Sequence, residues 1–297
     1  MNQQTWLITG PSSGLGKALA SEALRTGHRV IGTTRDISRA ESSYPEFSAN
    51  GGIWIALNPA QTDAYDRFRE IAREYNVDVL VNNAGYAVIG GVEDTSEDSV
   101  RAQMEVNFYG PLRAVRACLP VMREKKSGHI ILISSGAGFI ARPARSTYSA
   151  SKFAIEAIHE SLSREVESFG IRVLIVEPGA FRTPFPSLQV FPMGPGLERG
   201  YSDAYEGTAV EEMVRLSKGM SAAGGLIKGD PGKAARAVVG VVDGGYGDGD
   251  GFEGLGLRMP LGGDCVRALE GKIEELRRDL EGSRGVAMGT DFDGDVD

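Results

Sequence analysis

Along this chain, short apolar runs alternate with longer stretches in which apolar residues recur every three or four positions. Runs such as Trp6–Ile8 and Val79–Val81 read as strands buried on both faces. The pattern predicts strands at 5–9, 29–34, 53–57, 78–82, 129–134 and 171–176, and helices at 14–26, 62–75, 97–124, 148–169, 231–242 and 263–281. Such alternation specifies an α/β architecture: a doubly wound parallel sheet between two helical layers, with right-handed crossovers. In that architecture a ligand lies at the carboxyl ends of the strands, where the strand order reverses. Gly10, Arg35, Asn82, Ser135 and Pro178 all fall at predicted strand ends.

Tyr148 and Lys152, in YSASK, stand one helical turn apart and so share a face; Ser135 lies thirteen residues upstream of Tyr148. A free phenol has a pKa near ~10, and an adjacent fixed positive charge draws it toward the neutral range. A serine hydroxyl from another element can then hold a substrate oxygen while the phenol moves a proton. The set suits carbonyl reduction or alcohol oxidation with a cofactor carrying the hydride. Read alone, YSASK is equally an ordinary surface pair.

The N-terminus changes those odds. After Trp6–Ile8 come Gly10, Gly14 and Gly16, then a helical pattern from Lys17 to Arg25 stopped by Gly27. Strand, glycine turn and helix start together make a phosphate cradle, where backbone N–H groups approach a pyrophosphate and the helix dipole favours its charge. The spacing is GxxxGxG, not the commoner GxGxxG.

These pieces resemble the short-chain dehydrogenase/reductase family. The matching segments are TGPSSGLG at 9–16, NNAG at 82–85, Asn107, ISS at 133–135, YSASK at 148–152 and PGAFRT at 178–183, in the family's order and spacing. The likeness covers about residues 3–185. The segment LRMPLGGDCVRALEGKIEELRRDL resembles the tail of an NADP-preferring subgroup with 17β-hydroxysteroid-dehydrogenase-like members. The resemblance implies a Rossmann-like fold with a substrate lid inserted at about 184–230, within one domain spanning 1–282.

It also implies roles. Tyr148 donates a proton to a carbonyl, Lys152 holds the nicotinamide ribose and lowers the phenol pKa, Ser135 orients the substrate oxygen, and Asn107 holds a water linking Lys152 to solvent. Gly10, Ser12, Ser13, Gly14, Leu15 and Gly16 cradle the pyrophosphate. Asn83, Ala84 and Gly85 floor the adenine ribose site. Pro178, Gly179 and Thr183 lie along the nicotinamide, with Thr183 near its carboxamide or the pyrophosphate. Ser134, adjacent to Ser135, is expected to point away from the site.

Cofactor choice is argued from the tip of the second strand. A carboxylate there binds the two ribose hydroxyls of NAD, whereas this chain has Thr34 and Arg35, and a guanidinium pairs with the 2′-phosphate of NADP. Asp36 either weakens this or faces solvent, and Ser13 stands where many NADP-binding relatives carry a basic residue. After the third strand the family's Asp-Val is replaced by Asn58-Pro59. Asn58 still offers an amide to adenine, but Pro59 has no N–H to give.

The leading expectation is an NADPH-dependent enzyme interconverting a carbonyl and an alcohol on a small, largely apolar substrate. The alternative is an NADP(H)-binding protein with a non-redox role, a sensor or an isomerase or cyclase using the same pocket. Phe185, Phe191, Met193, Tyr201, Tyr205, Met213 and Met220 in the lid either line an apolar pocket or pack the lid onto the domain. Tyr86, Phe139 and Phe181 are candidates for the same cleft.

Net charge of −8 argues against nucleic acid or an anionic membrane as partner. No apolar stretch is long enough to span a bilayer, and the first strand starts too near Met1 for a signal peptide. Two cysteines, Cys118 and Cys265, fit a reducing, cytoplasmic setting. His28, His129 and His159 are scattered, and no metal site is expected. Asp248 and Asp250, in the Gly/Asp-rich loop 243–256, lack the remaining ligands of a calcium loop. Residues 283–297 read as a disordered acidic tail. By family resemblance, a homodimer or homotetramer would form through helices 97–124 and 148–169.

Overall fold

The computed structural model describes residues 3–220, 227–244 and 256–292. In chain order the elements are β1 (Thr5–Thr9), α1 (Gly14–Arg25), β2 (Arg29–Thr34), α2 (Ile37–Ser43), α3 (Pro45–Ala49), β3 (Ile53–Ala56), α4 (Ala64–Glu74), β4 (Val79–Asn82), β5 (Ala87–Val88), α5 (Glu97–Met104), α6 (Gly110–Lys125), β6 (Gly128–Ile133), α7 (Ser146–Val166), β7 (Ile171–Pro178), β8 (Gln189–Val190), α8 (Ala209–Met220), α9 (Pro231–Val242), β9 (Arg258–Leu261) and α10 (Gly263–Met288). Seven strands form one parallel sheet in the order β3-β2-β1-β4-β6-β7-β9.

The strand pleat sorts the core into two layers. Trp6, Ile8, Val79, Val81, Ile131 and Ile133 face α1 and α9, while Leu7, Leu80 and Ile130 face α4 and α6. All six predicted strands are present. Order reverses between β1 and β4, so the tips carrying Gly10 and Asn82 open a crevice between them.

Three expectations are corrected. The helix predicted over 97–124 is two helices joined by a five-residue π-turn at Glu105–Tyr109. A seventh strand, β9, pairs in register with Ile175–Pro178; its Pro260 is tolerated because this is the edge of the sheet. Residues 283–288, expected in a disordered tail, continue α10, whose Glu281–Arg284 ion pair supports the last turns. Most of the Gly/Asp-rich loop, with Asp248 and Asp250, and residues 293–297 lie outside the described residues.

Among the described residues, the segment expected to form a lid holds α8 and the strand β8, which pairs with β5 just beyond the NNAG floor. Among the described residues no helix is long and apolar enough to cross a membrane.

Candidate active site

The cradle forms at the β1–α1 turn. Gly10 and Gly14 adopt φ of +65° and +60°, a region costly for other residues. Ser13 precedes α1 in extended conformation without capping it through its side chain, so the first-turn N–H groups stay available to an anion. A Cβ on Gly14 would lie 3.5 Å from Cβ of Thr183, which places Thr183 over the pyrophosphate end of the cradle.

Behind the turn is a brace whose hub the sequence reading passed over. Thr9 Oγ1 accepts from the N–H groups of Asn83 (2.9 Å) and Ala84 (3.0 Å). Asn83 Nδ2 donates to the carbonyls of Thr9 (2.9 Å) and Gly10 (3.1 Å). The Asn83 side chain therefore ties the floor to the cradle. A Cβ on Gly16 would lie 2.7 Å from the Gly10 carbonyl oxygen and press on that Asn83 amide.

At the tip of β2, Thr34 Oγ1 donates to the Asp36 carbonyl (3.1 Å), and the Asp36 carboxylate caps α2 through the Arg39 N–H (3.0 Å). Arg35 is exposed and makes no ion pair among the described residues. Asn58 Oδ1 accepts from the Ala60 N–H (3.1 Å), which fixes the side chain's orientation. Pro59 packs against Gly110, and its carbonyl accepts from Arg113 Nη1 (3.0 Å). The Asn58-Pro59 departure thus serves the packing of β3 on α6.

Ser135 lies beside Tyr148, and Lys152 stands one turn further along α7. Ser135 follows β6, accepts from the Ala137 N–H (3.1 Å) and is near enough to the Tyr148 phenol to favour its ionised form. Lys152 Nζ donates to the Ile133 carbonyl (3.0 Å) and lies 3.7 Å from where a Gly85 Cβ would be. Asn107 sits in the π-turn, its Nδ2 donating to Tyr86 O (2.9 Å) and Ser151 Oγ (3.0 Å), and its Oδ1 accepting from Tyr86 N. The wider turn rotates Asn107 inward toward Gly85.

Burial pushes the Tyr148 phenol above its ordinary 10, while the neighbouring Ser135 hydroxyl and the charge of Arg145 draw it down. Burial lowers Lys152 itself to about 8, opposed by the carboxylate of Glu156. Arg145, just before α7, was missed. It is partly buried, its Nη2 contacts Ser217 Oγ on α8 (3.2 Å), and its Nε has no partner among the described residues.

Ser134 turns away as expected, donating to the Glu156 carboxylate. That carboxylate belongs to a further unforeseen cluster. Arg258 binds Glu156 (2.5 Å), Glu177 (2.6 Å) and Glu160 (3.1 Å). Glu156 and Glu177 are only 1% exposed, and burial together with the Glu156 charge raises Glu177 from 4.5 to about 7. The only forewarning in the sequence was the position of Glu156 one turn beyond Lys152 and of Glu177 beside Pro178.

Apolar residues of the 184–230 segment pack onto Tyr148. Phe185 lies 6.1 Å from the phenol ring between centroids, and Phe191, Tyr201, Tyr205 and Met213 join the same apolar cluster with Ala87, Ile89 and Val214. Met193 is instead 90% exposed. Phe139 leaves the cleft and lies under the Arg258 guanidinium, beside α10. Gly179 N–H is held by the Leu261 carbonyl (2.9 Å) and Ala180 N–H by Asp264 (2.8 Å), which fixes the turn after Pro178. The cradle, the braced floor and the Lys152–Asn107 end together fit a dinucleotide lying across the β1/β4 crevice.

An α/β sheet with this cradle and a serine–tyrosine–lysine set defines a nucleotide-binding oxidoreductase. Residues 4–188 match the short chain dehydrogenase family, and the chain belongs to it. It is 42% identical over 219 residues to oxidoreductase claN of Passalora fulva, covering 73% of this chain and 97% of the relative. It is 37% identical over 205 residues to a 3-ketodihydrosphingosine reductase of Bacteroides thetaiotaomicron, covering 69% and 74% respectively. The crystal structure of a short-chain dehydrogenase from Streptomyces avermitilis superposes with a TM-score of 0.82 at 36% identity, covering 98% of this chain and all of that one.

Proposed function

We propose that the chain is an NADPH-dependent reductase that interconverts a carbonyl and an alcohol on a small, largely apolar substrate. The observation that carries this reading is Ser135 lying beside the Tyr148 phenol under a cover of apolar side chains, with Lys152 and Asn107 meeting at Gly85 in the same crevice. The dinucleotide, when bound, supplies a hydride to the carbonyl carbon. Ser135 donates to the carbonyl oxygen and fixes it beside the phenol. Tyr148 delivers its proton to that oxygen as the alkoxide forms, and its phenolate is then held by Ser135 and the charge of Arg145. A phenol held above its ordinary pKa is fully protonated at neutral pH and ready to donate. Lys152, near 8, is the group on hand to return a proton, and Asn107 holds the backbone against which it sits. The aromatic and methionine side chains over Tyr148 exclude water and favour apolar substrates.

The choice of NADP rests on Arg35, since the neighbouring Asp36 carboxylate is spent on capping α2. Carbonyl reduction accords with the 3-ketodihydrosphingosine reductase among its relatives. The test is oxidation of NADPH across a panel of ketones and aldehydes, with Tyr148→Phe as control. The variant should bind NADPH with unchanged affinity and lose at least about 100-fold in turnover. Turnover at the parental rate would remove Tyr148 from this role.

A further inference from the structure

We propose that α10 is a dimerisation arm that pairs antiparallel with α10 of a second copy of this chain. The helix runs 26 residues, a length of about 39 Å. Cys265 is its one buried residue among those described. Val266, Leu269, Ile273, Leu276 and Leu280 recur at alternating steps of three and four, the a/d seam of a two-helix coiled coil. That seam faces solvent: Ile273, Leu276 and Leu280 are 47%, 46% and 57% exposed. Its first half borders an open groove lined by Phe139, Pro260, Val266, Leu269 and Ile273, so a second helix would cover both seam and groove.

Charge decides the occupant and its direction. In an antiparallel pair centred between Glu274 and Glu275, Ile273 packs on the partner's Leu276 and Leu280 on the partner's Leu269. Glu270 then faces the partner's Arg277 on one flank, and Lys272 faces the partner's Asp279 on the other. Two-fold symmetry repeats both contacts, giving four opposite-charge pairs and no like-charge pair at these flanking positions. A parallel in-register pair would set Lys272 against the partner's Arg277, a like-charge contact made twice, which offsets its two Asp279–Arg284 attractions. The antiparallel orientation, with four attractions and no repulsion, is thus the better matched. This surface is separate from the outer faces of α6 and α7.

Sedimentation of the full chain tests the proposal. Leu276→Lys with Leu280→Lys, both at exposed positions, should halve the sedimenting mass at micromolar concentration; an unchanged mass would overturn it. Arg277→Glu should raise the dissociation constant at least tenfold, and adding Glu270→Arg should restore it, a rescue that a loss of helix structure would not show. Absence of rescue would equally count against the pairing. Orientation is read from cysteine cross-linking under oxidised glutathione, since native Cys118 and Cys265 are buried. Chains carrying Ile273→Cys and Leu276→Cys should cross-link when mixed and not singly. Self-cross-linking of either alone would overturn the antiparallel arrangement.

Discussion

Replacing Arg258 by methionine keeps most of the apolar stem and removes the guanidinium that joins β9 to Glu156, Glu177 and Glu160. Two carboxylates that are 1% exposed then face each other without the guanidinium between them, and only Lys152 is left to offset Glu156. Removing one partner of a buried ion pair typically costs about 3–5 kcal/mol. The parent already shows the scale. Glu177 titrates near 7 in the folded chain against 4.5 when free. At ~1.4 kcal/mol per pH unit, keeping it ionised costs about 3 kcal/mol above pH 7. The sign follows from linkage: a carboxyl whose folded pKa is raised binds more protons folded than unfolded. It therefore destabilises progressively as pH rises from 4.5 through 7, and not below 4.5. Without Arg258 that window extends upward, because the attraction opposing the rise is gone. Urea unfolding at pH 5 and pH 8, followed by the fluorescence of Trp6 and Trp54, should show a loss of about 3 kcal/mol or more at pH 8 and a smaller one at pH 5. An equal loss at both values, or a loss below ~1 kcal/mol at pH 8, would refute the argument.

Other outcomes follow from the site. Gly16→Ala should break the two hydrogen bonds from Asn83 Nδ2, destabilise by about 1–3 kcal/mol and weaken NADPH binding measured by nicotinamide fluorescence quenching. Arg145→Met removes a charge that lowers the Tyr148 pKa, so the pH at which alcohol oxidation rises should move upward; an unmoved pH–rate profile would exclude this influence. Arg35→Glu should shift the ratio of kcat/KM values from NADPH toward NADH by at least about tenfold, corresponding to loss of ~1.4 kcal/mol of phosphate recognition.

The sheet was legible because its strands are buried on both faces: Trp6–Ile8 and Val79–Val81 are continuous apolar runs and are fully buried. The candidate site was legible where local order carries it, as in Tyr148 and Lys152 one turn apart and the glycines after β1. What escaped was either irregular or distant. β9 reads RMPL, with an arginine and a proline that no strand pattern anticipates. The short helices α2 and α3 rest on the Asp36 cap and on Pro45 at a helix start, signals too brief to separate from a loop. Thr9 and Asn83 are bonded across 74 residues, and Arg258 reaches Glu156 across 102. Such pairings belong to the folded topology, and nothing in the spacing of either partner announces them.

The π-turn at Glu105–Tyr109 carries one residue more than an ordinary helix needs over the same span. Five residues of this wider turn sweep about the same angle as four of α-helix, so deleting one would restore ordinary pitch and leave α6 facing nearly as before. Ala114, Cys118 and Met122 would keep their places on the sheet, while Asn107 would lose Tyr86 and Ser151. A one-residue deletion here would thus part the site from the fold, removing the Asn107 contacts and sparing the core.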